Sequence, residues 1–284
     1  MGKRLITPSH FPPHSTRTLY KLSNIKSKKC YIGKRRLDKA ISLYQKVYPG
    51  GRHDTFQVDW KAYYLDPSAP ARGISWAERQ AQKLAATATS ESRSHSDNPN
   101  GRDTEELARQ LRDRLASIGR QEGIEFSFGG KIGNTRSAHR AIAFSKTQSH
   151  GADTDTDTGG HDEHDPQVQD RFVMALFTAY FEGTADITSH ETLADVAQSV
   201  GLDRAAMLAW LDDGLGGDEV DEEARVAKEE LGLKGVPCFT VQGRTVDGAQ
   251  DVQAFLELFV GIGEEEELAQ DQTKTALEAK STFT

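Results

Sequence analysis

The chain has 284 residues, a net charge of −8 and two cysteines, Cys30 and Cys238. That length permits one large domain or two small ones, while the acidic balance argues against a dedicated nucleic-acid binder. No 18-residue apolar run is present to span a membrane, and two cysteines cannot build a disulfide framework, so each must be chemical or simply buried.

Residues 1–29 hold seven Lys or Arg and no acid. A basic segment containing Ser and Thr is compatible with a mitochondrial presequence, against which its prolines and histidines count. With no apolar secretory region, the expected location is cytoplasmic and the thiols are expected to stay reduced. Residues 1–17 read as a poorly structured extension, and TLYKLSNI (18–25) is the only stretch available for a first strand. A helix follows from near Cys30, because Leu37, Ile41 and Tyr44 share one face of 34–47. After a Pro-Gly-Gly turn, Phe56, Val58 and Trp60 alternate with polar residues as in a strand.

The middle of the chain is helical. Residues 103–123 open on Asp-x-x-Glu, carry Leu107, Leu111, Leu115 and Ile118 on one face, and stop at Gly123. NTRSAHRAIAFSK is a second helix capped by Asn134 or Thr135, and three more follow before residue 213. The polar segments 87–103 and 147–167 are not expected to pack. Within the second, His150, His161, Asp162, His164 and Asp165 have the residue types of a metal site but no rigid element to fix their geometry, so no metal site is expected.

Beyond residue 213 the pattern predicts a helix over 217–235, two short strands around a turn at Gly243, a helix over 249–260, and an acidic tail over 262–284 expected to be disordered. Val236-Pro237 heads the first of these strands. From the dipeptide alone an ordinary trans turn proline is the default. The element order is that of a small α/β unit interrupted by a helical block.

The words CYIGKRRLDKAI, GIEFSFGGKIGNTRSAHR, FTAYFEGTADIT, LKGVPCFTV and VDGAQDVQAF, in that order from Cys30 to about Phe259, resemble the DsbA-like thioredoxin-fold family. That family includes FrnE-type oxidoreductases and is related to kappa-class glutathione transferases and 2-hydroxychromene-2-carboxylate isomerases. The resemblance implies an α/β thioredoxin-like domain (18–66 and 214–261) with an inserted all-helical domain (67–213). It implies action on thiols and disulfides, with glutathione as a possible cosubstrate, no tightly bound cofactor, and a small-molecule or peptide thiol as partner.

In that family the first strand leads to Cys-Pro-Trp-Cys. Laid onto this chain, Cys30 takes the second cysteine's place and Ser27 the first, with Lys28 and Lys29 between them. Dithiol exchange needs an exposed thiolate to attack and a second sulfur to resolve, and a serine supplies neither. Ser27 then reads either as a hydroxyl that holds the thiolate of glutathione, as in the kappa-type isomerases and transferases, or as the scar of a lost nucleophile in a non-catalytic binder. A third reading makes 1–29 a wrongly joined segment.

The resemblance also places a cis-proline at Pro237, with Val236 offering its backbone to a thiol peptide, and a ligand cleft near Asn134, Thr135 and His139. Gly248, Ala249 and Gln250, opening the last helix, could present amides to a γ-glutamyl carboxylate. For His139 a satisfied histidine is the plainer reading, and Trp60 and Tyr64 read as core. Cys238 follows Pro237 directly, so a Cys30–Cys238 disulfide is conceivable under oxidation.

Overall fold

The computed structural model describes residues 16–75, 78–79, 101–149 and 167–281. Four strands form one sheet in the order β2-β1-β3-β4. β1 (Thr16–Ser23) pairs in parallel with β2 (Thr55–Ala62) along its whole length, from Thr16 opposite Thr55 to Ser23 opposite Ala62. Parallel neighbours need a crossover, and α1 (Lys28–Val47) provides it. β3 (Cys238–Val241) runs antiparallel to β1 and turns into β4 (Arg244–Asp247). The two turn residues, Gln242 and Gly243, have φ of 46° and 82°, the primed geometry that matches the twist of a two-residue hairpin.

β1 lies two residues earlier than expected, and its inward face explains why it looked a poor strand. Arg17, Leu19, Lys21 and Ser23 alternate inward and all are buried. A basic residue is tolerated there only with partners. Arg17 has them: its guanidinium lies 3.1 Å from Asp54, 3.0 Å from the Tyr44 hydroxyl and 3.2 Å from Glu266. Residues 16–27 are therefore the central strand and the loop that follows it, and residues 28 and 29 open α1.

Two cores flank the sheet. Leu37, Ala40 and Tyr44 of α1 meet Leu19, Phe239, Val241, Phe255 and Phe259, the last two from α8 (Val252–Ser281). The larger core joins Cys30, Tyr31 and Ile32, at the head of α1, and Trp60 of β2 to the interrupting helices. These are α2 (Gly101–Gln121), α3 (Arg136–Ser149), α4 (Val168–Phe181), α5 (His190–Ser199) and α6 (Arg204–Asp212), followed by α7 (Gly217–Arg225). Phe172, Phe177 and Phe181 of α4 form its centre, and Tyr31 stacks on Phe177 with ring centroids 5.1 Å apart. The helical block and the α/β unit thus share one continuous core at the head of α1.

The acidic tail differs from expectation: α8 continues as helix to Ser281. Its glutamates have partners on other elements. Glu265 pairs with Arg244, Glu266 meets Arg17 and Gln242, and Glu267 accepts from the Tyr48 hydroxyl at 2.8 Å. Composition registers the charge but not these remote cations. Of the polar segments, 101–103 belong to α2 and 147–149 to α3, while 87–100 and 150–166, including the His/Asp cluster, lie outside the described residues, as do 1–15 of the expected extension.

Candidate functional site

From the end of β1 the chain turns through Asn24 to Ser27. Asn24 Oδ1 accepts from the Lys26 amide at 2.9 Å, and its Nδ2 donates to the Tyr63 carbonyl at 2.7 Å and to Thr135 Oγ1 at 3.1 Å. This buried side chain fixes the loop to the end of β2 and to the start of α3 together. Ser27 donates its amide to the Asn24 carbonyl and then caps α1, its Oγ accepting the Cys30 N–H at 3.2 Å. The cap uses a lone pair of the hydroxyl and leaves its proton to donate elsewhere.

Cys30, the third residue of α1, is fully buried among Ile25, Tyr31, Ile32 and Trp60. Cys238 is also buried but packs in another cluster, with Tyr63 and Ala227, and burial reinforced by Asp247 pushes its thiol up to about 12. Both cysteines are free, so the conceivable Cys30–Cys238 disulfide is not formed.

Beneath the head of α1 lies a group of charges the sequence did not announce. Lys21 is fully buried, and its Nζ donates to the Cys30 carbonyl at 3.1 Å. It faces the rings of Trp60 at 4.3 Å, Phe239 at 5.0 Å and Phe177 at 5.9 Å. Burial, joined by the charge of Lys34, lowers its pKa to about 7, against the pull of Cys30 first and then of Asp38 and Asp170. Those two carboxylates are held by Lys34, whose Nζ lies 2.7 Å from Asp170 and beside Asp38; burial opposes its charge, yet the two acids raise its pKa overall. Trp60 Nε1 donates to the other Asp170 oxygen at 3.0 Å. The one available signal was the period-two run Arg17, Leu19, Lys21, Ser23, which reads as a buried face only if charged residues are allowed on it.

Lys28 folds over the rings of Phe128 and Phe181, each 5.0 Å away, and Phe126, and burial lowers its pKa. The Val236–Pro237 peptide is cis. The Val236 N–H and C=O have no hydrogen-bond partner among the described residues. Gly33 permits the close approach of α1 to this loop: a Cβ there would stand 3.2 Å from Pro237 Cγ, 3.1 Å from Phe239 Cζ and 3.4 Å from Ala249 Cα. Ser27, Cys30, Pro237 and Ala249 are thereby gathered along the first two turns of α1.

Two candidate positions look different in three dimensions. The Gly248 amide donates to the Pro237 carbonyl at 2.8 Å and the Gln250 amide to the Gly248 carbonyl at 3.0 Å, while Asp251 Oδ1 caps α8 through the Ala254 amide at 2.9 Å. Occupied amides and an acidic cap make this helix start a poorer anion site than the sequence suggested. The nearby cation is Arg36, which donates to the Ala249 carbonyl at 2.8 Å. Asn134 spends its side-chain oxygen on the Arg136 amide at 2.6 Å, and it is Thr135 that reaches the loop before Ser27.

His139 is buried and packs edge-on against Tyr64. Burial, only partly countered by a hydrogen bond to the Tyr63 backbone, lowers its pKa to about 4, so it is neutral at pH 7. Its Nε2 has no partner among the described residues. Trp60 is core as expected, and Tyr64 donates to Asp221 at 2.7 Å.

Fold and site together define a thioredoxin-fold protein whose first helix is serine-capped, with a buried cysteine in its first turn. The chain belongs to the DSBA-like thioredoxin domain family, whose model matches residues 23–260. Among solved structures it is similar to a probable DsbA oxidoreductase from Streptomyces coelicolor, with a TM-score of 0.62 and 21% identity over 85% of this chain and 88% of that one. It is also similar to a 2-hydroxychromene-2-carboxylate isomerase, with a TM-score of 0.54 and 18% identity over 90% and 98%. No curated protein sequence matches the chain. Among the described residues no helix is long and apolar enough to cross a membrane.

Proposed function

We propose that the protein binds a small thiol of the glutathione class at the head of α1 and uses it in a thiol-dependent transfer or isomerisation. The observation that carries this reading is the contrast between positions 27 and 30. Ser27 caps the helix with a hydroxyl proton to spare, and Cys30 lies fully buried below it. An attacking thiolate must be reachable; a hydroxyl that stabilises a ligand's thiolate need only point at it.

In this reading the ligand's sulfur sits at the start of α1 and gives up its proton to solvent. The Ser27 O–H donates to it, and the helix N-terminus adds a positive potential, each contribution being about 1 kcal/mol or somewhat more. Together they lower the ligand's thiol pKa by about one to two units. The unpaired Val236 backbone groups are suited to the ligand's extended peptide chain. A reducing compartment that holds such a thiol, as the cytoplasm does, is the setting this reading requires.

The test is spectroscopic. Mixing the protein with reduced glutathione at pH 7 is expected to raise the ultraviolet thiolate absorbance in proportion to bound ligand, and S-methylglutathione is expected to give no rise. Equal spectra with the two ligands would refute the reading.

A second reading, monothiol exchange by Cys30 as an oxidoreductase, draws on the contact between Lys21 and the Cys30 carbonyl. Cys30→Ser separates the two. Under the first reading it keeps the glutathione-dependent signal; under the second it removes all thiol chemistry.

A further inference from the structure

A serine or threonine inside a helix commonly donates its hydroxyl to a carbonyl of the preceding turn. Ser145 does so to Ile142 at 2.8 Å, Thr147 to Phe144 at 2.8 Å and Ser199 to Val196 at 2.6 Å. Ser137, in the first turn of α3, does not. Its Oγ lies 3.3 Å from Nε2 of His190, the first residue of α5. His190 Nδ1 in turn lies 2.6 Å from Oδ1 of Asp212, the last residue of α6. A serine, a histidine and an aspartate from three helices are thus joined in series, and none of them belongs to the thiol site.

The order of the groups fixes their roles. A carboxylate only accepts, so the proton of a neutral imidazole goes to Nδ1 facing Asp212, and Nε2 is left to accept the Ser137 O–H. A nucleophile that meets a base, with the base oriented by a third group, is the arrangement that activates a serine. The pieces are held from elsewhere in the block. Arg140, buried one turn after Ser137, donates to the carbonyls of Trp210 at 2.9 Å, Leu211 at 2.8 Å and Leu215 at 2.7 Å, which fixes the end of α6 against α3. Ser189 caps α5 by accepting the Thr192 N–H and sets the start of the helix that carries His190. The dipole of α6 disfavours an acid at its C-terminal end, and the ion-pair partner of Asp212 is His190. Ser137 and His190 are half-buried, open to a small substrate. The Ser137 amide, at the positive end of α3, has no acceptor among the described residues, whereas that of Arg136 goes to Asn134 Oδ1.

We propose that Ser137, His190 and Asp212 form a second, hydrolytic site that cleaves small carboxylic esters. Ser137 Oγ attacks the ester carbonyl carbon as its proton passes to His190 Nε2. The negative oxygen that develops is met by the Ser137 amide and the positive end of α3. The bond from carbon to the alcohol oxygen then breaks, and His190 gives its proton to that oxygen. Water completes the cycle: His190 takes a proton from it as its oxygen bonds to the acyl carbon, and the bond to Ser137 breaks as Oγ regains a proton. Ester and water become acid and alcohol, with no oxidant or reductant required. Asp212 is the positioning residue, holding His190 in the tautomer that accepts at Nε2.

The deciding experiment uses the full chain with no thiol present, so its outcome is independent of the glutathione reading. The protein is treated with an alkyl fluorophosphonate, whose phosphorus bonds to an activated serine oxygen as fluoride leaves. The labelled peptide is identified by mass spectrometry, and the labelling rate is measured for each variant. The expected result is a label on Ser137 that Ser137→Ala lacks. His190→Gln is expected to slow labelling about hundredfold or more, and Asp212→Asn about tenfold or more. Asp212→Glu, which restores the carboxylate, is expected to recover most of the rate, a rescue that a merely structural role for Asp212 would not produce. Turnover of p-nitrophenyl acetate is expected to fall in the same order. An unlabelled Ser137 in the wild type would overturn the proposal, as would equal labelling rates in the wild type, His190→Gln and Asp212→Asn. Should His190→Gln fail to fold, the Asn and Glu variants at position 212 carry the same comparison, because that side chain is exposed.

Discussion

His139 offers a sharp test of how the helical block is held to the sheet. Its side chain is fully buried in α3, against Tyr64 and beside the Tyr63 carbonyl, and its pKa falls from the ordinary 6.5 to about 4. The folded state therefore refuses a proton that the unfolded chain accepts between these values. Stability from this residue is complete above pH 6.5, declines as pH falls toward 4 and declines no further below it. At 1.36 kcal/mol per unit, a displacement of about 2.5 units amounts to roughly 3 kcal/mol. His139→Phe keeps the ring contact and removes the titration. It also removes one donor to the Tyr63 carbonyl, but Asn24 Nδ2 still bonds that oxygen at 2.7 Å, so the pH-independent loss is about 1 kcal/mol. Urea unfolding at pH 7, 6, 5 and 4.5 checks this, since carboxylates titrate alike in both proteins and cancel in the difference. The wild type is expected to be the more stable at pH 7 and to lose about 2 to 3 kcal/mol relative to the variant by pH 4.5. Parallel curves would refute the assignment of a neutral, buried histidine.

Three other outcomes follow from the same geometry. Ser27→Ala, lacking the cap, is expected to lose about 1 kcal/mol in urea unfolding, whereas Ser27→Asp and Ser27→Thr retain most of it. Gly33→Ala gains helix propensity but drives a methyl to 3.1–3.2 Å from Phe239 and Pro237, both buried; a net loss of about 1 kcal/mol, with weaker glutathione binding in calorimetry, is the expected balance. Lys21 has a folded pKa depressed from 10.5 to about 7, so its burden on stability is greatest below pH 7 and is relieved as pH rises toward 10.5. Relative to Lys21→Met, the wild type should gain about 2 to 3 kcal/mol between pH 7 and 9, measured by urea unfolding at both values.

Much of the architecture is written in local patterns. β2 is visible because Phe56, Val58 and Trp60 alternate, and α4 to α6 because their apolar residues recur at helical spacing between clear caps such as Ser189 and Asp203. What stayed hidden depends on partners distant in sequence. β1 looked unfit because Arg17 and Lys21 are read as surface residues; Arg17 is buried through Asp54, Tyr44 and Glu266, which lie 27 to 249 residues away. The tail looked disordered for the complementary reason, since Glu265 and Glu266 find Arg244 and Arg17 only once the sheet exists. At the site, Ser27 and Cys30 were legible from their place before an amphipathic helix. Lys21 was not, because its burial depends on Trp60, Phe177 and Phe239, rings that lie far along the chain. At the start of α8 the sequence shows a helix onset but not that the amides of Gly248 and Gln250 are engaged within the chain.

The central claim is that the hydroxyl at position 27 donates to a bound thiolate. Its most direct test is calorimetric titration of reduced glutathione into wild type, Ser27→Thr and Ser27→Asp at pH 7. Thr keeps both the cap and the donor; Asp keeps the cap but presents a negative charge to the sulfur. The account predicts micromolar-to-millimolar binding to wild type, retained within about tenfold by Ser27→Thr and abolished by Ser27→Asp. No heat with the wild type, or equal binding by the Asp variant, would contradict it.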